Sequence, residues 1–207
     1  MKKVLYIIFI IIFMGCGRKS QEGDVKRLLV AFGDSLIKGY GSPSSYTDYL
    51  AQHVRMNVIN MGVSGDTTFS ALSRVDEVLE YDPGIVIIGL GANDFLRKIP
   101  VSETERNLRE ITNRLKGSGR TLFIVKFYPK GGLIGFFAGR KKKQYEKIYK
   151  DLSQSKGVYV IEDVWKGVWR KEMSDNIHPN TRGYELMGEN YLKNLEGVLG
   201  GDILKEE

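Results

Sequence analysis

The chain has 207 residues, 42% apolar and 27% charged, a balance that supports one buried core and excludes an intrinsically disordered polypeptide. Its formal net charge of +6 falls to +4 once Lys2 and Lys3 of the leader are discounted, too mild a surplus for a nucleic-acid-binding domain. One cysteine, Cys16, leaves no internal disulfide, so the fold rests on its core.

Met1 to Gly15 pairs the basic Lys2-Lys3 with an apolar run from Val4 to Met14, the layout of an export signal. The run falls short of the roughly 20 apolar residues that a bilayer-spanning helix needs. Phe13-Met14-Gly15-Cys16 resembles the lipobox of bacterial lipoproteins. That resemblance implies cleavage before Cys16, transfer of a diacylglycerol to its thiol, and an exported cell-envelope lipoprotein on the periplasmic or extracellular face of a membrane. The alternative is an uncleaved anchor helix with an incidental cysteine. The chain then divides into a lipoprotein-type signal peptide (1–15), a lipidated cysteine with a polar tether (16–24), a folded domain (25–200) and a charged tail (201–207).

From Val25 onward, short β-like runs alternate with helical patterns, which predicts a parallel sheet with crossover helices. The first strand is Arg27 to Phe32, followed by a helix over Ser45 to Val54 with Tyr46, Leu50 and Val54 on one side. The second strand is Asn57 to Met61, and Thr67 to Glu80 reads as one helix with Phe69, Leu72 and Leu79 inward. Ile85 to Ile88 is an apolar run suited to a strand buried on both faces. Ser102-Glu103-Thr104-Glu105 has the spacing of a capping box, opening a helix with Leu108, Ile111 and Leu115 inward. The fourth strand is Thr121 to Lys126. Lys142 to Leu152 presents Tyr145, Ile148, Tyr149 and Leu152 on one face, Val158 to Ile161 is the fifth strand, and a last helix over Thr181 to Leu199 turns Met187, Tyr191, Leu195 and Val198 inward. The basic run Arg140 to Lys143 is a solvated helix end or a phosphate-facing patch.

Four stretches end a strand, or precede the last helix, with residues suited to acyl-transfer chemistry. Gly33-Asp34-Ser35-Leu36 hands over a serine just past the first strand, where open α/β sheets place their ligands. A serine hydroxyl is a poor nucleophile until a base takes its proton. Of two histidines, His53 lies in a helical pattern beside Gln52 and Arg55 and reads as a surface residue. His178 stands in Asp175-Asn176-Ile177-His178-Pro179, where an aspartate three residues ahead can turn its carboxylate onto the ring, fix its tautomer and stabilise the imidazolium. The plainer alternative is a capping aspartate with a solvent-facing histidine. Gly65, in Val63-Ser64-Gly65-Asp66-Thr67, and Asn93, in Gly91-Ala92-Asn93-Asp94, are candidate oxyanion donors; the alternatives are a simple turn and an Asx-turn.

These blocks, in this order, resemble those of the SGNH, or GDSL, hydrolases, and the details are closest to the bacterial thioesterases, arylesterases and lysophospholipases. The resemblance implies a three-layer α/β/α sandwich around a five-stranded, mostly parallel sheet of flavodoxin-like type. It also implies a serine esterase acting on a small-molecule or lipid ester or thioester without metal or cofactor. By position, Ser35 is the nucleophile, His178 the base, Asp175 its orienting partner, and the Ser35 N–H, Gly65 and Asn93 form the oxyanion hole. Phe95, Leu96 and Ile99, just past Asn93, and Leu133 and Phe136, in the glycine-spaced apolar segment 130–138, are expected to line the acyl pocket; the segment alternatively folds onto the core. A carbohydrate O-deacetylase and a non-catalytic glycan- or lipid-binding lipoprotein are the competing readings.

Overall fold

The computed structural model describes residues 28–117, 119–128 and 139–205. The signal peptide, Cys16, the tether and the apolar segment with Leu133 and Phe136 lie outside them. Five strands, β1 (Leu28–Gly33), β2 (Asn57–Gly62), β3 (Ile85–Gly89), β4 (Thr121–Val125) and β5 (Val158–Ile161), form one sheet in the order β2-β1-β3-β4-β5. Every pairing is parallel, so the expected mostly parallel sheet is wholly so. The chain winds outward from β1 in both directions, which opens a crevice at the C-terminal ends of β1 and β3.

Side-chain alternation along β1 builds the two faces. Leu29 and Ala31 point into a core closed by α2 (Tyr46–His53) and the last helix, α8 (Thr181–Leu199). Val30 and Phe32 point into a second core, shared with α3 (Thr68–Leu72), α4 (Val75–Glu80), α6 (Val101–Leu115) and α7 (Gly139–Ser153). The result is the expected α/β/α sandwich. Two short helices, α1 (Ser35–Lys38) and α5 (Ala92–Leu96), sit on the crevice itself.

Four predicted details change. The expected helix over 67–80 is two helices, broken at Ser73-Arg74. The Ser73 hydroxyl bonds the Ser70 carbonyl at 2.7 Å, and the Arg74 guanidinium turns back to pair with the Asp66 carboxylate. Ala71, Val75 and Val78 therefore face the core, Leu72 and Leu79 are half-buried, and Phe69 is 67% exposed. The capping box at 102–105 does not form, because α6 already begins at Val101 with Pro100 as its cap, which places Ser102 inside the helix; the Thr104 hydroxyl turns inward and donates to the Asp94 carboxylate at 3.3 Å. Val198 lies on the open side of the last turn of α8, while Tyr184 joins Met187, Tyr191 and Leu195 in the core. The start of the expected charged tail is part of the domain: Gly201–Ile203 makes a 3₁₀ turn, the Arg55 N–H donates to the Ile203 carbonyl at 2.8 Å, and Leu204 bridges Val54. Among the described residues no helix is long and apolar enough to cross a membrane.

Candidate active site

Ser35 is the first residue of α1, and the turn that delivers it has almost no slack. Gly33 lies beside the Gly89 backbone: a Cβ there would sit 2.0 Å from the Gly89 carbonyl oxygen. At Gly62, at the end of β2, one would sit 2.2 Å from the Lys38 N. These approaches let the ends of β1, β2 and β3 and the helix α1 share one corner. Asp34 caps α1, its Oδ1 accepting the Leu36 N–H at 3.0 Å. The Asn60 amide donates to the Ile37 carbonyl at 2.8 Å and the Thr47 hydroxyl at 2.9 Å, tying α1 to β2 and α2. As the first helical residue, Ser35 keeps a backbone N–H with no acceptor inside the helix.

His178 reaches this corner from the loop before α8, and its Nε2 lies 2.9 Å from the Ser35 Oγ. The opposite ring nitrogen, Nδ1, lies 2.8 Å from Asp175 Oδ2. Asp175 Oδ1 also accepts the N–H groups of Ile177 and His178, each at 2.7 Å, so the carboxylate organises the loop as well as the ring. Partial burial works to raise the Asp175 carboxyl, but the His178 ring and these two backbone donors outweigh it and hold the group below the usual carboxylate range. The helix cap belongs to Asn180, whose side chain accepts the Gly183 N–H at 2.8 Å; the simple capping alternative for Asp175 does not hold.

Gly65 and Asn93 meet at the other side of Ser35. Gly65 has φ +85° in a turn closed by the Asp66 N–H donating to the Val63 carbonyl at 3.1 Å. The Asn93 amide donates one N–H to the Asp66 carbonyl at 2.9 Å, and its second N–H remains for a ligand. The neighbouring Asp94 is fully buried and accepts the Thr68 N–H at 2.8 Å and its hydroxyl at 2.5 Å, pinning α5 to α3. Asp34 is buried too. Loss of hydration pushes its carboxyl up to about 7 against the Leu36 N–H, with Asp66 and Asp94 adding to the rise.

A cavity of about 300 Å³ opens over this group, and Ser35, Gly65, Asn93, Asp175 and His178 all border it. Of the residues expected to line it, Leu96 does. Phe95 instead packs beside Phe127 and Tyr145, with ring centroids 6.2 and 6.4 Å away, because successive helical side chains point about 100° apart and α5 turns Asn93 and Leu96 to the crevice. Ile99 is half-buried past α5, and neither it nor Phe95 borders the cavity. Leu36, Tyr40, Ser64, Ala92 and Ile177 complete the walls. Leu36 and Ile177 flank motif residues and were within reach of sequence reasoning; Tyr40, whose ring centre lies 4.7 Å from that of His178, follows no periodicity. His53 stays away from the cavity, stacked on Tyr49 with its Nδ1 2.8 Å from the Tyr49 carbonyl. Among the described residues no three His, Cys, Asp or Glu side chains converge to hold a metal ion.

This arrangement can shuttle a proton between a hydroxyl and an imidazole beside several N–H donors. A family model for GDSL-like lipases and acylhydrolases matches residues 31–186. An arylesterase of Vibrio mimicus is 28% identical, over 90% of this chain and 95% of its own. Thioesterase 1/protease 1/lysophospholipase L1 of Escherichia coli K12 is 27% identical, over 84% of this chain and 86% of its own. The esterase EstA of Pseudoalteromonas sp. superposes with a TM-score of 0.71 over 84% of this chain and 100% of its own, at 24% identity, a likeness of fold. The chain belongs to the GDSL-like lipase/acylhydrolase family, the SGNH-type serine hydrolases that cleave ester bonds.

Proposed function

We propose that this protein hydrolyses carboxylic esters or thioesters carrying an acyl chain through an acyl-enzyme on Ser35, in the manner of an arylesterase or lysophospholipase. The observation that carries this reading is the 2.9 Å approach of the Ser35 Oγ to a His178 ring whose other nitrogen faces Asp175. His178 takes the hydroxyl proton as the oxygen attacks the carbonyl carbon. Asp175 holds the ring and offsets the charge of the imidazolium. The N–H groups of Ser35 and Gly65 and the Asn93 amide receive the oxyanion of the tetrahedral intermediate. His178 then protonates the leaving alcohol or thiol, and a water activated by the same ring releases the acid.

The walls supplied by Leu36, Tyr40, Ala92, Leu96 and Ile177 favour an acyl chain over a sugar ring. The likeness to an arylesterase and to a thioesterase/lysophospholipase supports the same substrate class. The leader and Cys16 support placement in the cell envelope, anchored through a lipidated Cys16. The test is labelling with a fluorophosphonate, followed by p-nitrophenyl esters of increasing chain length. Ser35 is expected to take the label, Ser35→Ala to lose at least about 10⁴-fold in kcat, and chains longer than acetyl to be accepted. Turnover by Ser35→Ala overturns the mechanism. Acceptance of acetyl alone overturns the substrate class in favour of O-deacetylation.

A further inference from the structure

The turn that carries Gly65 is held to α5 by three side chains, and one of them has no place in the chemistry described so far. Asn93 bonds the Asp66 carbonyl, and Asp94 bonds Thr68 just beyond. The third, Arg97, follows one helical turn after Asn93, its own N–H donating to the Asn93 carbonyl at 2.9 Å, and so lies on the same side of α5. Its Nη2 donates to the Gly65 carbonyl at 2.8 Å. The fit is close, since a Cβ on Gly65 would stand 3.2 Å from that nitrogen.

Gly65 needs such a tether. Without a Cβ, and at φ +85°, it is the residue of the turn with the widest choice of backbone conformations. The cross-turn hydrogen bond from the Asp66 N–H to the Val63 carbonyl holds one edge of the peptide plane that joins Gly65 to Asp66, and the Gly65 carbonyl on its opposite edge is the atom that Arg97 holds. An oxyanion donor works only if it is already in place when the charge develops, with a tolerance of roughly 0.5 Å. Asn93 and Arg97 thus grip successive carbonyls, those of Asp66 and Gly65, from one face of one helix.

We propose that Arg97 is a positioning residue for acyl transfer, clamping the Gly65 carbonyl to α5 so that the Gly65 N–H stays directed at the nascent oxyanion. The role rests on the ester-hydrolase reading of the site. A guanidinium suits it because it stays charged at every working pH and presents several donors in a fixed plane, one of which suffices for the clamp.

The test compares wild type with Arg97→Ala, Arg97→Gln and Arg97→Lys on p-nitrophenyl butyrate, with melting temperature and fluorophosphonate labelling rate measured on the same samples. Arg97→Ala is expected to lose about tenfold in kcat, a fraction of the 10²–10³ that deletion of a donor costs. KM should stay within about twofold, and the labelling rate should fall in step with kcat, because phosphorus passes through the same oxyanion geometry. Arg97→Lys should recover part of the loss, and added guanidinium at low millimolar concentration should partly restore Arg97→Ala. A wild-type kcat in Arg97→Ala overturns the proposal. So does a raised KM with kcat unchanged, which makes Arg97 a substrate contact. If Arg97→Ala fails to fold, Arg97→Gln carries the same expectations. Activity in Ser35→Ala would sink the underlying reading instead; an inactive Ser35→Ala beside a fully active Arg97→Ala removes only the role of Arg97.

Discussion

The two halves of the site are built by different forces. The nucleophile side is made by long-range packing. Gly33, Gly62 and Gly89 come from three strands, and Ile37 fills the space over two of these glycines, so the position of Ser35 depends on the sheet as a whole. The base side is made by short-range hydrogen bonds in an exposed loop. The Ser174 N–H donates to the His178 carbonyl at 2.8 Å, Asp175 gathers the Ile177 and His178 N–H groups, and Met173 bridges Pro179. The contrast teaches that the pair meeting at 2.9 Å consists of a serine fixed by the core and a histidine fixed by one carboxylate. Substitutions on the two sides should therefore fail in different ways.

The largest effect on the base side should leave the fold alone. Asp175→Asn keeps an oxygen for the loop N–H groups but no longer offers a charge to the ring, and its amide can face the ring with the wrong tautomer. The expected loss in kcat is about 10⁴-fold, or about 5.5 kcal/mol of barrier, with a melting temperature within a few degrees of wild type. Steady-state kinetics and thermal denaturation of one preparation decide it. A collapse of stability that tracks the activity would show that the loop is held by the core after all, and the distinction between the halves would fall.

The nucleophile side should fail the other way round. Gly33→Ala sets a methyl group 2.0 Å from the Gly89 carbonyl oxygen and 2.6 Å from the Ile37 Cγ1, a clash that only a shift between β1 and β3 can relieve. More than about 4 kcal/mol of stability should be lost, and folded protein scarcely recovered. Gly197→Ala in α8 is the control: nothing lies within 4 Å of its Cβ, and a helical alanine should gain up to about 1 kcal/mol. A Gly33→Ala protein that melts like wild type would mean that the corner yields more easily than its packing implies.

The same division explains what was legible in the sequence. The strands could be read because residues such as Ile85 to Ile88 are buried on both faces and so form unbroken apolar runs. The Asp175-His178 pair could be read because it closes within three residues. Ser35 with Gly65 and Asn93 could be read as strand-end signals, since each lies just past a strand or on its following turn. What stayed hidden depends on distant partners. The break at Arg74 is drawn by Asp66, Thr104 turns inward to Asp94, and Tyr40 reaches His178 across more than a hundred residues. Phe95 reads as a pocket residue by proximity to Asn93, yet the helical turn carries it to Phe127 and Tyr145. Residues 201–205 dock through backbone hydrogen bonds with Arg55 and His53, the Lys205 ammonium on the Ala51 carbonyl and Ile203 against the core, contacts too few to leave a periodic pattern in the sequence.

Asp34 sharpens the comparison furthest, because it places a titrating group inside the packed half. Its carboxyl, 1% exposed, rises from an ordinary 3.8 to about 7, chiefly because burial strips the carboxylate of water. The Leu36 N–H opposes that rise, and the charges of Asp66 and Asp94 add to it. Tyr46, Tyr184 and Tyr191, the ionisable groups facing it from α2 and α8, are themselves pushed up by burial and stay neutral. With a folded value above the unfolded one, the folded state holds more protons between pH 4 and 7, so stability is greatest below the unfolded value and declines as pH rises through the folded one. The shift corresponds to a decline of about 4 kcal/mol between pH 4 and pH 8. Asp34→Asn keeps the cap on Leu36 and abolishes the titration. Denaturant melts of both proteins across this range should thus diverge with rising pH, the variant becoming the more stable by about that amount at pH 8. Opposite behaviour belongs to Asp175, whose carboxyl lies below its ordinary range: its contribution is present above the unfolded value and disappears as pH falls through the folded one. Parallel curves for wild type and Asp34→Asn would show that water reaches Asp34, and the nucleophile corner would then be no drier than the histidine loop.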